Sequence, residues 1–155
     1  PKDLKLIQLS LNDAVERALA LVGDRLKLQN MKLVKKLDKN LPEVALDADQ
    51  INVALLNLFI NAIEAMKPDE GKLTVVTRQE DEKVSLTIKD NGKGMSAEEM
   101  SRLFEPFFTG KEEGTGLGLT TVQNIIRSHK GSIDAESKLG KGTTFIITLP
   151  TISVD

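Results

Sequence analysis

The stretch DQINVALLNLFINAIEAM, residues 49–66, decides the fold because it is apolar at nearly every position. This pattern predicts one long helix, which Lys67 and Pro68 then end. A helix that is apolar nearly all round has to be buried. Other layers of the chain must therefore cover it.

Before this helix, the sequence predicts a strand, an earlier helix and a hairpin. The strand is IQLSL (7–11), and the amphipathic segment 12–30 is a helix capped by Ser10 or Asn12. MKLVKKLD (31–38) and EVALD (43–47), separated by KNLP, predict a hairpin.

After the long helix, the sequence predicts a second hairpin, two helices and two closing strands. They are, in order, a hairpin of 72–79 with 83–90, a short helix within 96–104 that Ser96 caps, a helix from about Thr115 to His129, and strands at 131–137 and 143–150. This order favours an α+β fold, a two-layer sandwich. We expect a mixed, mainly antiparallel sheet of about five strands plus an N-terminal hairpin or strand, packed on three helices. One domain covers residues 1–155, with its core from about residue 4 to 150.

The composition excludes several classes of function. The chain is 40% hydrophobic and 28% charged, with a net charge of −2, which is unlike a nucleic-acid-binding surface. Cysteine is absent, so there are no disulfides, thiolate nucleophiles or cysteine metal ligands. No apolar run reaches the roughly 18 residues of a membrane span, and no signal peptide opens the chain. Because the chain begins at Pro1, we expect a cytoplasmic domain excised from a longer protein, and the sequence leaves open whether that parent protein is anchored in a membrane.

The long helix carries a polar stripe of Asn57, Asn61 and Glu64. Their spacing of four and then three residues puts them on one side of the helix. In one interpretation the amides bond neighbouring backbone or face water. In the other, the stripe lines a polar ligand cavity, where an Asn oxygen suits Mg²⁺ that keeps waters and phosphate oxygens.

The segment KDNGKGM (89–95) ends a predicted strand at Asp90 and continues through Gly92 and Gly94. A carboxylate there can accept hydrogen bonds from a ligand's exocyclic amine, and glycines let a flat ring approach the backbone. An ordinary turn is the alternative, because Asp-Asn-Gly is turn chemistry by itself.

Two further loop features indicate a site. Phe104, Phe107 and Phe108 either anchor a long connection in the core or fasten the base of a mobile lid, from which Lys111 could reach a phosphate. Three glycines, Gly114, Gly116 and Gly118, precede a helix whose free N–H groups suit an anion. These glycines do not follow a strand, as a dinucleotide-binding (Rossmann) fingerprint requires, and they lack the Gly-Lys-Ser/Thr ending of a P-loop. Neither of these two nucleotide-binding motifs therefore fits.

Taken in order, NLFINA (57–62), DNGKGM (90–95), FEPFF (104–108) and GTGLGL (114–119) resemble the N, G1, F and G2 boxes of sensor histidine kinases. The resemblance is to their catalytic ATP-binding domain, a Bergerat-type fold shared with gyrase, Hsp90 and MutL. GKGTTFIITLP (140–150) resembles the last hairpin of that domain. The match extends from about Leu4 to Pro150 and is strongest to the nitrogen-regulation and sporulation kinases.

The resemblance implies a role for each matching position. Asn61 would ligate Mg²⁺ that bridges the phosphates of ATP, supported by Asn57, and Asp90 would receive the adenine amino group. Gly92 and Gly94 would shape the adenine pocket, whose aliphatic walls would be Ile63, Met95 and Leu119. The residues from Phe104 to Phe108 would form the hinge of the ATP lid, and Lys111 would meet the terminal phosphate. The remaining nucleotide contacts would come from Gly114, Thr115, Gly116, Leu117 and Gly118.

The sequence departs from the family at two places. Many members have Lys-Tyr where this chain has Glu64 and Ala65. The ATPase relatives carry a general-base Glu at the position of Asn57, and an amide cannot take a proton at neutral pH. Activated water is therefore disfavoured, and transfer of the γ-phosphoryl group to a histidine fits better.

His129, the one histidine in the sequence, lies on the apolar stripe of its helix, which indicates a structural or capping role. The acceptor would then lie in a dimerisation and phosphotransfer domain before Pro1, within a homodimeric parent that also meets a response regulator. We expect the isolated domain to be a monomer. A protein-serine kinase of the anti-sigma type and a non-catalytic nucleotide-sensing module remain as alternatives.

Overall fold

The computed structural model describes residues 3–105 and 118–151. These residues form a five-stranded sheet, a two-stranded sheet and four helices. In chain order the elements are β1 (Ile7–Leu9), α1 (Leu11–Leu28), β2 (Lys32–Lys36), β3 (Val44–Leu46), α2 (Ala48–Ala65), β4 (Lys72–Glu80), β5 (Lys83–Asp90), α3 (Ala97–Ser101), α4 (Gly118–Ser128), β6 (Ser132–Lys138) and β7 (Gly142–Pro150). The α+β class and the mainly antiparallel sheet predicted from the sequence are confirmed.

The large sheet has the strand order β2-β4-β5-β7-β6. β2 runs parallel to β4, and every other neighbouring pair is antiparallel. Burial alternates along the three central strands, as in Leu73, Val75 and Thr77 of β4. This period of two indicates that one face of the sheet packs on the helices, which closes a single core.

Helix α2 lies at the centre of that core. Its seven buried side chains include Phe59 and Leu58, both 0% exposed. Asp47 caps its first turn, because Oδ1 of Asp47 accepts from the main-chain N–H of Gln50 at 3.1 Å. α1 and α4 flank α2 and use the buried stripes that the sequence predicts.

The predicted hairpin between residues 31–38 and 43–47 is wrong. β2 pairs with β4 in the register Lys32↔Lys72, and β3 pairs instead with β1, Ile7 opposite Leu46. Because α2 must be buried, the chain after β2 crosses the sheet through α2. It then re-enters the same sheet as β4, which lies beside β2 and runs parallel to it. Strand patterning predicted both strands but carried no information about their partners.

The second predicted hairpin is confirmed, with Leu73 opposite Asp90 at one end and Glu80 opposite Lys83 at the other. Ser10, rather than Asn12, caps α1 by accepting from the N–H of Asp13. Within the described ranges, no helix is both long and apolar enough to cross a membrane.

Candidate functional site

The polar stripe of α2 lies on its less buried side. Asn57 and Asn61 are half-buried, and Glu64 is exposed. The Nδ2 group of Asn57 donates to the carbonyl oxygen of Val53 at 2.9 Å. The amide nitrogen of Asn57 thus bonds neighbouring backbone, as one of the two interpretations expects. The oxygen of the same amide has no such bond among the described residues.

Gly118, the first described residue of α4, lies against the oxygen of Asn57. A β-carbon at position 118 would stand 3.4 Å from Oδ1 of Asn57. The start of α4 and the polar stripe of α2 therefore meet at this point. Two of the predicted site residues, 61 positions apart in the sequence, are brought together.

Phe104 and α4 are joined directly. The hydroxyl of Thr120 donates to the carbonyl oxygen of Phe104 at 3.0 Å, and Phe104 and Leu119 are both partly buried against the core. Phe104 is therefore anchored where this connection begins, which both interpretations expect. The other predicted residues of this connection lie outside the described residues: Phe107, Phe108, Lys111, Gly114, Thr115, Gly116 and Leu117.

Asp90 ends β5 and is 4% exposed. Its Oδ1 accepts from the N–H of Gly92 at 2.8 Å and from the N–H of Thr143 at 3.2 Å. Within the described residues, Oδ2 has no hydrogen-bond donor, so it is the atom available to a ligand's amine. Burial raises the pKa of the Asp90 carboxyl above its ordinary value, and the two N–H donors oppose this rise.

The glycines after Asp90 serve the packing of the chain on itself. A β-carbon at Gly92 would stand 2.3 Å from the carbonyl oxygen of Ala65, the last residue of α2. Lys93 donates its N–H to that same carbonyl at 2.9 Å. Gly94 has φ +68°, and a β-carbon there would stand 2.0 Å from the carbonyl oxygen of Lys138. Close approach of other main chain therefore requires glycine at both positions, and their loop places Asp90 beside the end of α2.

The three predicted aliphatic walls differ in exposure. Met95 and Leu119 are partly buried, so each keeps some surface open. Ile63 is 1% exposed and belongs to the core. Ile63 therefore offers almost no surface for a ring in this structure.

Sequence reasoning missed the contribution of the β6–β7 hairpin. Thr143 donates to Asp90, and Gly142, with φ +125°, lies so close that a β-carbon there would stand 2.1 Å from the carbonyl oxygen of Asp90. The signal was present in the sequence as a second pair of glycines, Gly140 and Gly142, followed by threonines. From the sequence alone, residues 140–150 predict a last hairpin and no part of the site.

His129 has the structural role that the sequence indicates. It is 3% exposed, and both ring nitrogens are occupied: Nε2 accepts from the N–H of Asp47 at 3.0 Å, and Nδ1 lies 2.8 Å from the carbonyl oxygen of Ile125. Asp47 also accepts from the N–H of Lys5 at 3.1 Å. That bond and the one from Gln50 hold the pKa of the Asp47 carboxyl below its ordinary value, against the effect of burial.

The surface of α2 between Asn57 and Ala65 lies between these contacts, and we call this surface the groove. The Asp90 loop meets Ala65 at one end, and Gly118 meets Asn57 at the other. Asn57 and Ala65 are eight positions apart on the helix, or about 12 Å along its axis. Asn61 lies midway.

Comparison with known proteins shows the family to which the chain belongs. The profile of the family described as histidine kinase-, DNA gyrase B-, and HSP90-like ATPase matches residues 46–153. The sensor histidine kinase ZraS of Klebsiella oxytoca is 40% identical over 151 residues, which are 97% of this chain and 32% of ZraS. The chain therefore spans about a third of the length of that curated relative.

Solved structures agree with this match. The nucleotide-free catalytic domain of histidine kinase ThkA has a TM-score of 0.86 at 30% identity, over 96% of this chain and 97% of that domain. ThkA in complex with the response regulator protein TrrA has a TM-score of 0.82 at 26% identity, over 96% of this chain and 42% of the ThkA chain. The chain belongs to the family of histidine kinase-, DNA gyrase B- and HSP90-like ATPases, and its fold is that of the histidine kinase catalytic domains.

Proposed function

We propose that this chain binds ATP with Mg²⁺ and places the γ-phosphoryl group for transfer to a histidine on a separate dimerisation and phosphotransfer domain, in two-component signalling. The observation that carries the proposal is the groove on α2, with an oriented acceptor at Asp90 on one end and the contact of Asn57 with Gly118 on the other.

Asp90 would recognise the adenine base. Its Oδ1 is already bound by two main-chain N–H groups, which fixes the plane of the carboxylate, and Oδ2 is left as an acceptor for the exocyclic amine. Guanine carries an oxygen where adenine carries this amine. A buried carboxylate facing that oxygen would lack a donor, so the site disfavours guanine.

Asn61 and the start of α4 would hold the phosphates. Mg²⁺ binds proteins through one or two oxygen ligands while keeping waters and phosphate oxygens, so an amide oxygen fits it. The described residues bring together no group of three or more His, Cys, Asp or Glu side chains, and the donor set here is an amide one. When bound, the metal would neutralise phosphate charge. The N–H groups at the start of α4 and the cation of Lys111 would supply the other positive groups.

Asn57 supports transfer to an amino-acid nucleophile over hydrolysis. Its amide nitrogen is held by the carbonyl of Val53, and an amide has no basic lone pair at neutral pH with which to activate water. Phosphoryl transfer depends on placement and charge neutralisation more than on covalent help. Residues of this chain would therefore position ATP, and the lid that carries Lys111 would close over it and exclude water.

His129 does not serve as the acceptor in this proposal. Nε2 is turned onto the N–H of Asp47, and the ring is 3% exposed. The acceptor histidine would come from the remaining two thirds of a parent protein of the length of ZraS. That parent would be a homodimer that passes its phosphoryl group to a response regulator, the kind of protein with which ThkA was crystallised. We also propose a cytoplasmic location, where ATP is present, and no nucleic-acid partner.

Two measurements test the proposal. Titration calorimetry of the chain with a non-hydrolysable ATP analogue should give tight binding with Mg²⁺ and weak binding without it, and Asn61→Ala should abolish this difference. Asn52→Ala is the matched control. Its side chain is on the same helix off the stripe, and within the described residues its buried Oδ1 has no hydrogen-bond partner. Equal affinity with and without Mg²⁺ in the unsubstituted chain would remove Asn61 from the site.

The second measurement is transfer of radiolabelled phosphate from ATP to the supplied phosphotransfer domain of the parent protein. Label on a histidine of that domain is the expected result. Binding without any transfer would favour the nucleotide-sensing alternative, and label on a serine would favour the anti-sigma type of kinase.

A further inference from the structure

The β6–β7 hairpin holds the loop that follows Asp90 at three points. All three are hydrogen bonds with a main-chain group of the loop or with the Asp90 carboxylate. They are Met95 N–H to Ser137 Oγ at 2.8 Å, Gly140 N–H to the carbonyl of Lys93 at 2.7 Å, and Thr143 N–H to Asp90 Oδ1 at 3.2 Å. The orientation of the Asp90 carboxylate thus depends on a hairpin more than 40 residues later in the chain.

Ser137 is the side chain at the centre of this contact. Its Oγ accepts from Met95, lies 3.0 Å from the carbonyl oxygen of Gly142 and lies 2.8 Å from the hydroxyl oxygen of Thr143. A hydroxyl has one hydrogen and two lone pairs, and a main-chain N–H can only donate. The hydroxyl of Ser137 therefore uses its full hydrogen-bonding capacity on three groups around Asp90: the N–H of Met95, the carbonyl of Gly142 and the hydroxyl of Thr143.

Thr143 connects Ser137 to Asp90. Its hydroxyl is paired with Ser137, its main-chain N–H donates to Asp90, and it is 7% exposed. If the hydroxyl of Ser137 were missing, the N–H of Met95 and the hydroxyl of Thr143 would both lose a partner in a half-buried place. The loop could then shift against the hairpin, and the carboxylate of Asp90 would lose its fixed direction.

We propose that Ser137 is a positioning residue that sets the preference of this site for adenine over guanine, by holding Thr143 and the loop of Met95 around Asp90. The proposal rests on the proposed nucleotide-binding function. Ser137 acts through its neighbours and does not itself touch the nucleotide.

The test compares Ser137→Ala with two other variants. Ser132→Ala is the matched control, because Ser132 is on the same strand, is exposed and has no side-chain hydrogen bond among the described residues. Ser137→Thr keeps the hydroxyl and should therefore keep the preference for adenine over guanine. For each protein, affinities for non-hydrolysable ATP and GTP analogues are measured with Mg²⁺ on one sample. The ratio of the two affinities then does not depend on the fraction that is folded.

In the unsubstituted chain, in Ser132→Ala and in Ser137→Thr, we expect the same preference for the adenine analogue. In Ser137→Ala we expect the ratio to fall about three- to tenfold, the effect of losing one or two hydrogen bonds. Amide hydrogen exchange at Met95 should become faster in Ser137→Ala in the absence of nucleotide.

Two results would contradict the proposal and are distinguishable. If Ser137→Ala lowers the melting temperature but keeps the ratio, Ser137 stabilises the fold without setting specificity, and the inference is wrong. If the unsubstituted chain binds neither analogue, the proposed nucleotide-binding function is itself wrong. If Ser137→Ala is too unstable to titrate, Ser137→Cys takes its place, and an unchanged ratio in that variant counts equally against the inference.

Discussion

The main-chain N–H of Asp47 donates a 3.0 Å hydrogen bond to Nε2 of His129, 82 residues further along the chain. Because Nε2 accepts, it carries a lone pair, and the hydrogen of the neutral ring is on Nδ1, which donates to the carbonyl oxygen of Ile125. The bond joins the end of α4 to the residue that caps α2. These are the two helices that meet at Gly118 and Asn57.

His129→Leu should destabilise the fold. The substitution leaves the buried N–H of Asp47 without an acceptor, which costs about 1–3 kcal/mol. Urea denaturation followed by circular dichroism measures this free energy of unfolding. His129→Gln, which can accept from Asp47 through its side-chain oxygen, should lose less than His129→Leu. A His129→Gln variant that is folded but can no longer phosphorylate the supplied acceptor domain would contradict a structural role.

Asp47 should make the free energy of unfolding depend on pH in the acid range. Its pKa is lowered in the fold, so its contribution is fully present above its unfolded-state pKa and is lost as pH falls through the lower folded-state pKa. Asp47→Ala should cost about 1 kcal/mol near pH 7, the usual effect of removing an N-cap. Denaturation curves of both proteins should converge as the pH drops below about 4. A difference that stays constant across this range would mean that the carboxylate charge is unimportant.

Asp90 should have the opposite effect. Its pKa is raised in the fold, so the folded state holds a proton more tightly than the unfolded chain, and stability falls as pH rises from the unfolded-state to the folded-state pKa. Asp90→Asn should therefore be at least as stable as the unsubstituted chain at pH 7, because Asn can still accept from Gly92 through its side-chain oxygen. The same substitution should remove the preference for ATP over GTP. A variant that keeps this preference would show that Asp90 does not read the base.

Gly92→Ala and Gly118→Ala form a matched pair that separates fold from site. At position 92 the new β-carbon would stand 2.3 Å from a main-chain oxygen, whereas at position 118 the nearest atom among residues 3–105 and 118–151 is the side-chain oxygen of Asn57, at 3.4 Å. Gly92→Ala should lower the free energy of unfolding by about 2 kcal/mol or more, because the main chain at Ala65 would have to shift to make room for the β-carbon. Gly118→Ala should keep its stability and bind ATP analogue more weakly. Thermal unfolding and calorimetric titration of both variants check this, and equal stability of the two would be the contrary result.

The sequence predicted the elements better than their partners. Periodicity placed α2 to within one residue at each end, because an apolar run with a proline after it is a local signal. The parallel pairing of β2 with β4 could not be predicted in this way, since it depends on where α2 is buried and not on residues 32–36 themselves.

The candidate site shows the same division. Asp90, Asn57 and Gly118 were predicted because each stands in a short motif with its own chemistry. Thr143 and Ser137 were missed because a single hydroxyl in a strand has no local signature, and its partners at residues 90–95 become neighbours only in the folded sheet. Gly92 was predicted for the close approach of a ring, and the approach of the Ala65 carbonyl requires a glycine there whether or not a ring binds.

The hydrogen bond from Thr120 to the carbonyl of Phe104 ties together two points 16 residues apart. With its ends already joined, the intervening piece of chain can change in length at little thermodynamic expense, since doubling even a fully flexible loop costs only about 0.6 kcal/mol. Insertions or deletions between Phe104 and Thr120 should therefore change the free energy of unfolding by little.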